Sequence, residues 1–76
     1  MKLTSTLRLR DSLNKTTTTI AEDCTVSQAF SMITSWCTDN NANDPKPSDI
    51  WKTDSNLVIR ITTKDNKYIN IFTISE

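Results

Sequence analysis

Near the start of the chain Leu3, Leu7 and Leu9 alternate with Thr4, Thr6, Arg8 and Arg10, with Ser5 as the one small polar residue on the apolar side. A period of two is that of a strand with one buried face. Asp11-Ser12 and Asn14-Lys15 have turn character, and the threonine-rich run that follows, ending in Ile20-Ala21, favours extended backbone. Residues 3–10 and 16–21 therefore read as a hairpin. An extended loop is the alternative for the second segment, since threonine runs occur in both settings.

The period then changes. Val26, Ala29, Phe30, Ile33 and Cys37 recur at helical spacing, with Met32 and Trp36 on the flank. Thr25-Val26-Ser27-Gln28 fits a capping box, in which the Thr hydroxyl meets the N3 amide and the Gln side chain returns to the cap residue. Glu22 and Asp23, just ahead, suit the positive end of the helix dipole. The spacing predicts a helix over about 25–38. Its outer face carries Ser27, Gln28, Ser31, Thr34, Ser35 and Thr38, and no charged residue lies between Cys24 and Thr38. Such a face is either ordinary solvated surface, the favoured reading, or one that loses its water cheaply against a partner.

Residues 39–56 are rich in Asn, Asp and Ser and include Pro45 and Pro47, the pattern of a long connection. Ser48-Asp49-Ile50-Trp51 has the makings of one helical turn after Pro47. Two readings of Trp51 stand: a plug at the edge of the core, favoured because a small domain can rarely spare a Trp, and an exposed binding anchor. Beyond Asn56 the pattern is β again. Leu57, Ile59 and Ile61 alternate with Val58, Arg60 and Thr62. Lys64-Asp65-Asn66-Lys67 supplies a turn in which Asp65 or Asn66 tolerates positive φ, and the chain returns from Tyr68 to Ile74. This last strand is apolar on both faces, through Tyr68, Phe72 and Ile74 on one and Ile69 and Ile71 on the other, which predicts an inner strand. Its second apolar face calls for cover by the long connection, a second copy or a partner.

These elements predict an α+β fold, a ββαββ two-layer sandwich in which an antiparallel sheet of three or four strands carries one helix on one face through Phe30, Ile33 and Trp36. The open face would show Thr4, Thr6, Arg8, Arg10 and Arg60, together with Val58, Thr62, Ile69 and Ile71. At 76 residues the whole chain, 1–76, is one domain. A chain of this size buries only about 60–65% of the surface it exposes when unfolded, which leaves little room for a large cleft.

Composition narrows the chemistry more than it suggests any. The chain has no His and no Gly. Absence of His removes the ordinary Ser-His and Cys-His nucleophiles and the Cys2His2 metal set; absence of Gly removes the P-loop and the dinucleotide fingerprint. Cys24 and Cys37 are too far apart for a Cys-x-x-Cys motif. The predicted helix would hold them about 19 Å apart along its axis, so they are expected to be free, buried thiols. Asp39, Asp44, Asp49 and Asp54 recur every five residues but lack the Gly and bidentate Glu of a calcium loop. No catalytic residue, cofactor or metal site is expected.

Net charge is zero, but Lys2, Arg8, Arg10 and Lys15 face only Asp11 in residues 1–20, whereas residues 21–56 are acidic. No apolar run is long enough to cross a membrane and no secretory signal is evident, which predicts a cytoplasmic protein, in its producing or host cell. Asn14-Lys15-Thr16 is then a chance sequon.

In size and plain layout the chain resembles the small phage-encoded inhibitors of bacterial defence, including anti-CRISPR proteins; the resemblance rests on format and on no shared motif. It implies a non-enzymatic, stoichiometric binder of a host nucleoprotein or nuclease. Contact would run through Trp51 with Asp44, Asp49 and Asp54, or through the open sheet with Arg8, Arg10 and Arg60, and the aspartates would stand in for phosphates. The second reading is direct nucleic-acid binding by the arginine-bearing face, which a neutral chain with few exposed aromatics favours less. A homodimer covering Ile69 and Ile71 is compatible with either.

Overall fold

A computed structural model describes residues 1–76. The elements run β1 (Lys2–Leu9), β2 (Lys15–Ala21), α1 (Val26–Asp39), β3 (Ile50–Lys52), β4 (Asn56–Thr62) and β5 (Tyr68–Ser75). The strands form one five-stranded antiparallel sheet in the order β2-β1-β5-β4-β3, and α1 packs across one face. The threonine-rich run is a true strand, paired with β1 from Arg8↔Lys15 to Leu3↔Ala21. The expectation of three or four strands falls one short, and the missing strand lies where a helical turn was expected.

Pro47 does start a turn, but a single 3₁₀ turn over Pro47–Asp49. The carboxylate of its last residue, Asp49, accepts from the Lys46 N–H at 3.2 Å and so caps the start of the turn. Ile50 and Trp51, both β-favouring, then leave extended and pair with Ile59 and Val58 as edge strand β3. Upstream, Ala42 bridges to Thr63, so much of the long connection is stitched along the outer edge of β4.

The helix begins as the capping box requires: Gln28 N donates to Thr25 Oγ1 at 3.1 Å and Thr25 N to Gln28 Oε1 at 2.9 Å. Its end is less usual for a chain without glycine. Asn41 takes the left-handed conformation at φ 52°, which turns the Ala42 N–H back onto the Cys37 carbonyl at 2.9 Å. This is the Schellman arrangement with Asn where Gly usually stands, and the side chains of Cys37 and Ala42 are both buried beneath it. Asn66, at φ 61°, does the same service in the β4–β5 turn.

Leu3, Ala29, Ile33, Cys37, Ile59, Ile61, Phe72 and Ile74 form the core between sheet and helix. Trp36 meets Phe72 edge to face, ring centroids 5.7 Å apart at 75°. Val26, expected on the apolar stripe, is 41% exposed, because the first helical turn sits at the sheet's margin beside Met1 and Leu57. Cys24 and Cys37 are buried free thiols. Two polar side chains also enter the core: Ser5 Oγ donates to Asn70 Oδ1 at 2.7 Å, while Asn70 Nδ2 has no partner.

Two outcomes follow for chemical denaturation. Asn41→Ala keeps the helix but places a Cβ without local polar help in left-handed backbone, and should lower stability by about 1 kcal/mol. Ser5→Ala leaves both polar atoms of Asn70 stranded and should cost about 1–3 kcal/mol, whereas Ser5→Ala combined with Asn70→Leu should recover wild-type stability or exceed it.

Candidate functional site

Strand register sets the side of the sheet that the helix leaves open. Trp51, Val58, Thr73, Thr4 and Thr19 form one cross-strand row; Arg60, Ile71, Thr6 and Thr17 form the next; Thr62, Ile69, Arg8 and Lys15 form a third. Directly opposed residues share a face, so these side chains make one continuous surface. The expected open-face residues Thr4, Thr6, Arg8, Arg60, Val58, Thr62, Ile69 and Ile71 all lie on it.

Trp51 is the main correction. It does not plug the core; Ile50 does, half-buried against it, while Trp51 stands 43% exposed at a corner of the open face. Alternation along β3 forces this division, because adjacent side chains in a strand point to opposite faces. The plug and the anchor are thus two neighbouring residues. Ile69 and Ile71 are half-buried, and the long connection meets this face at Arg60 and Thr62, with which Asn43, Asp44 and Asp49 line a cavity.

The charged groups are tied down unevenly. Arg60 Nη2 donates to Asp49 Oδ1 at 3.1 Å, and Asp49 is held below the usual carboxylate range by the Lys46 N–H first and by Arg60 second. Arg8 Nη1 donates to the carbonyl of Arg10 at 2.9 Å, and the Thr6 and Thr17 hydroxyls lie 3.1 Å apart. At one end of the face a polar cavity of about 250 Å³ is lined by Arg10, Asp44, Lys46, Asp49, Arg60 and Asn66, among other polar residues. Four of the residues singled out by sequence, Arg10, Asp44, Asp49 and Arg60, meet there. Asp54 does not: it lines a separate cavity with Met1, Val26 and Leu57. The aspartates spaced every five residues therefore form no row of phosphate-like charges.

The outer helix face is exposed and uncharged, as the sequence predicts, but the Thr34 and Thr38 hydroxyls donate back to the carbonyls of Phe30 and Thr34. Fewer donors on that face are left for a partner. Cys37 is pushed up from its ordinary value by burial and then by the charge of Asp44, which keeps it a protonated thiol. No three His, Cys, Asp or Glu side chains converge as metal ligands would. No helix is long and apolar enough to cross a membrane. Sequence reasoning missed Thr73 and the β2 side chains Lys15, Thr17 and Thr19 as members of the face; the β1–β2 register was the signal needed, and alternation in a run of threonines does not reveal it.

Comparison with family models, curated proteins and solved structures yields no match.

Because folding lowers the pKa of Asp49, its contribution to stability is complete above the unfolded value of about 3.9 and is lost as pH falls through the folded one. Urea midpoints measured against pH should show wild type above Asp49→Asn at neutral pH. The gap should close as the solution is acidified below the folded pKa.

Proposed function

We propose that this chain is a small non-enzymatic protein-binding module whose contact surface is the open sheet face anchored at Trp51. The observation that carries the reading is the exposed Trp51 on the same surface as half-buried Val58, Ile71 and Ile69. An aromatic at the margin of an apolar strip, rimmed by threonines and arginines, has the makeup of a protein contact surface in which Trp and Arg supply most of the binding energy. Arg60 is pre-oriented by Asp49, so less side-chain freedom is lost when it meets a partner.

Together with the size and layout, which resemble those of phage-encoded defence inhibitors, this supports a stoichiometric inhibitor of a nucleoprotein or nuclease, acting by occupying a surface of its target. Direct nucleic-acid binding is the reading it competes with. Arg60 is already paired with a carboxylate and Arg8 with a backbone carbonyl, and Asp44 and Asp49 sit in the same polar cavity as Arg10. Carboxylates among the arginines repel phosphate, and Trp51 is the only aromatic on the face, where single-strand readers stack bases on several.

The test is capture of the partner from host cells, followed by titration of the identified target with wild type and Trp51→Ala. Trp51→Ala should weaken binding by about 2 kcal/mol or more, beyond the roughly 1 kcal/mol of folding stability lost with its cross-strand contact to Val58. Unchanged affinity would remove the face from consideration. Tight, salt-sensitive gel shifts with DNA or RNA would transfer the function to nucleic acid.

A further inference from the structure

Strand β2 is an unprotected edge. Seven residues long, it pairs with β1 on one side only, and every residue from Lys15 to Ile20 is exposed. Such an edge is ordinarily blunted by proline, an inward charge or shortness. The opposite edge is blunted in this way, since β3 has three residues and follows directly on the Pro47–Asp49 turn. On β2 such features lie only at the two ends, Lys15 at its start and a bulge at its far end, where Ile20 is the extra residue between Thr19 and Ala21.

The direction of the free backbone groups follows from the ladder. Arg10 N donates to the Lys67 carbonyl on the β5 side, at 2.8 Å, while Met1 and Cys24 exchange bonds on the β2 side, each at 2.8 Å. In an antiparallel ladder alternate residues address opposite neighbours. Odd-numbered residues of β1 thus address β2, and Leu7 and Ser5 bond Thr16 and Thr18. Lys15, Thr17 and Thr19 must then aim their N–H and C=O groups outward, along the regular part of the edge.

We propose that β2 pairs with β2 of a second copy about a two-fold axis at Thr17, giving one continuous ten-stranded sheet with both helices on the same side. In that register Thr17 faces Thr17 of the second copy, Thr16 faces Thr18, and Lys15 faces Thr19. All the outward N–H and C=O groups are paired, and the side-chain matches are threonine pairs of a kind that stabilises antiparallel strands. The ends of the strand are compatible with a second copy as the occupant. The hairpin end of β2 carries Lys15 and, with Arg10 and Asp11, a net positive charge, and its other end leads into Glu22 and Asp23 beside Lys2, so antiparallel self-pairing turns Lys15 toward the Glu22 and Asp23 end of the second copy.

An independent feature agrees with this register. Leu13 in the β1–β2 turn is 98% exposed, with no contact in its own chain to account for an apolar residue there. Self-pairing at Thr17 brings the turn that holds Leu13 to the end of the second copy's strand that holds the Ile20 bulge and Ala21, beside a cavity lined by Ala21, Cys24 and Met32. The blunt β3 edge stops further addition, so the assembly closes as a dimer and does not grow into a fibre. Pairing at the edge leaves the open face uncovered and doubles its span, so the dimer stands independently of what that face binds.

Sedimentation equilibrium up to millimolar concentration should show twice the monomer mass for wild type. The same should hold for Thr17→Ala, which keeps the backbone donor. Thr17→Pro removes an N–H that no bond inside the monomer uses, so it should lose the dimer and retain the wild-type circular dichroism. In wild type, amide exchange at Thr17 and Thr19 should slow as concentration rises while Thr16 and Thr18 stay unchanged. That measurement decides the matter if Thr17→Pro does not fold. A monomer at every concentration, a dimer that survives in folded Thr17→Pro, or exchange at Thr17 and Thr19 that ignores concentration would each overturn the proposal.

Discussion

Insertion of the C-terminal strand between β1 and β4 is the constraint on which the rest depends. β5 is the strand that joins the two halves of the sheet, paired along its length with β1 on one side and β4 on the other, so that Leu3 and Leu57 both lie opposite Ile74. Phe72 sits at its middle with no exposed surface, flanked by Ser5 and Ile59 and capped by the edge of Trp36. Without β5 the chain has two separate hairpin fragments and a helix with no floor. Since β1 and β5 lie at opposite ends of the sequence, their pairing closes the longest loop in the sheet and carries its largest loop-closure cost.

A chain without glycine must make its sharp reversals another way. Both positive-φ positions are asparagines, one ending the helix and one in the β4–β5 turn. Their short amide side chains tolerate left-handed backbone better than other substituted residues do. Around Asn66 the polar side chains add support: the Thr63 hydroxyl donates to Asp65, whose carboxylate also takes the Lys67 N–H. Those bonds hold Asp65 below the usual carboxylate range, the Thr63 hydroxyl contributing most. The turns that place β5 are thus built from hydrogen bonds to side chains.

The legible parts of the sequence were those with a sustained period. Three leucines alternating in β1, the helical stripe ending at Cys37, and the isoleucines of β4 and β5 each repeat often enough to declare a face, and the inner position of β5 followed from apolar residues on both sides. The capping box was legible because two side chains three residues apart must agree. What failed was short. A three-residue strand has no period to read, and Ile50-Trp51 after Pro47 fits a helical turn as well as an edge strand until β4 selects between them. The candidate surface was legible to the extent that β1 and β4 alternate, and the meeting of Arg10 with Asp44 and Asp49 was not, because it depends on how residues 42–49 lie along β4.

The half-buried state of Val58, Ile69 and Ile71 changes the problem that the second apolar face poses. On a sheet of β-branched side chains each residue shields its cross-strand neighbours, so much of the apolar area leaves the water without a second layer. The fold therefore does not demand a full second layer on that face in order to stand, and its own long connection reaches only the Arg60 and Thr62 margin. A surface left open by a chain of only 76 residues still keeps a Trp at its corner and an arginine clamped by Asp49. Ile50 beside the Trp already fills the core, and the Trp adds a cross-strand contact with Val58 while keeping 43% of its surface in water. On the proposed reading, the energy that the Trp releases on losing its remaining exposure is available only to a contact made from outside.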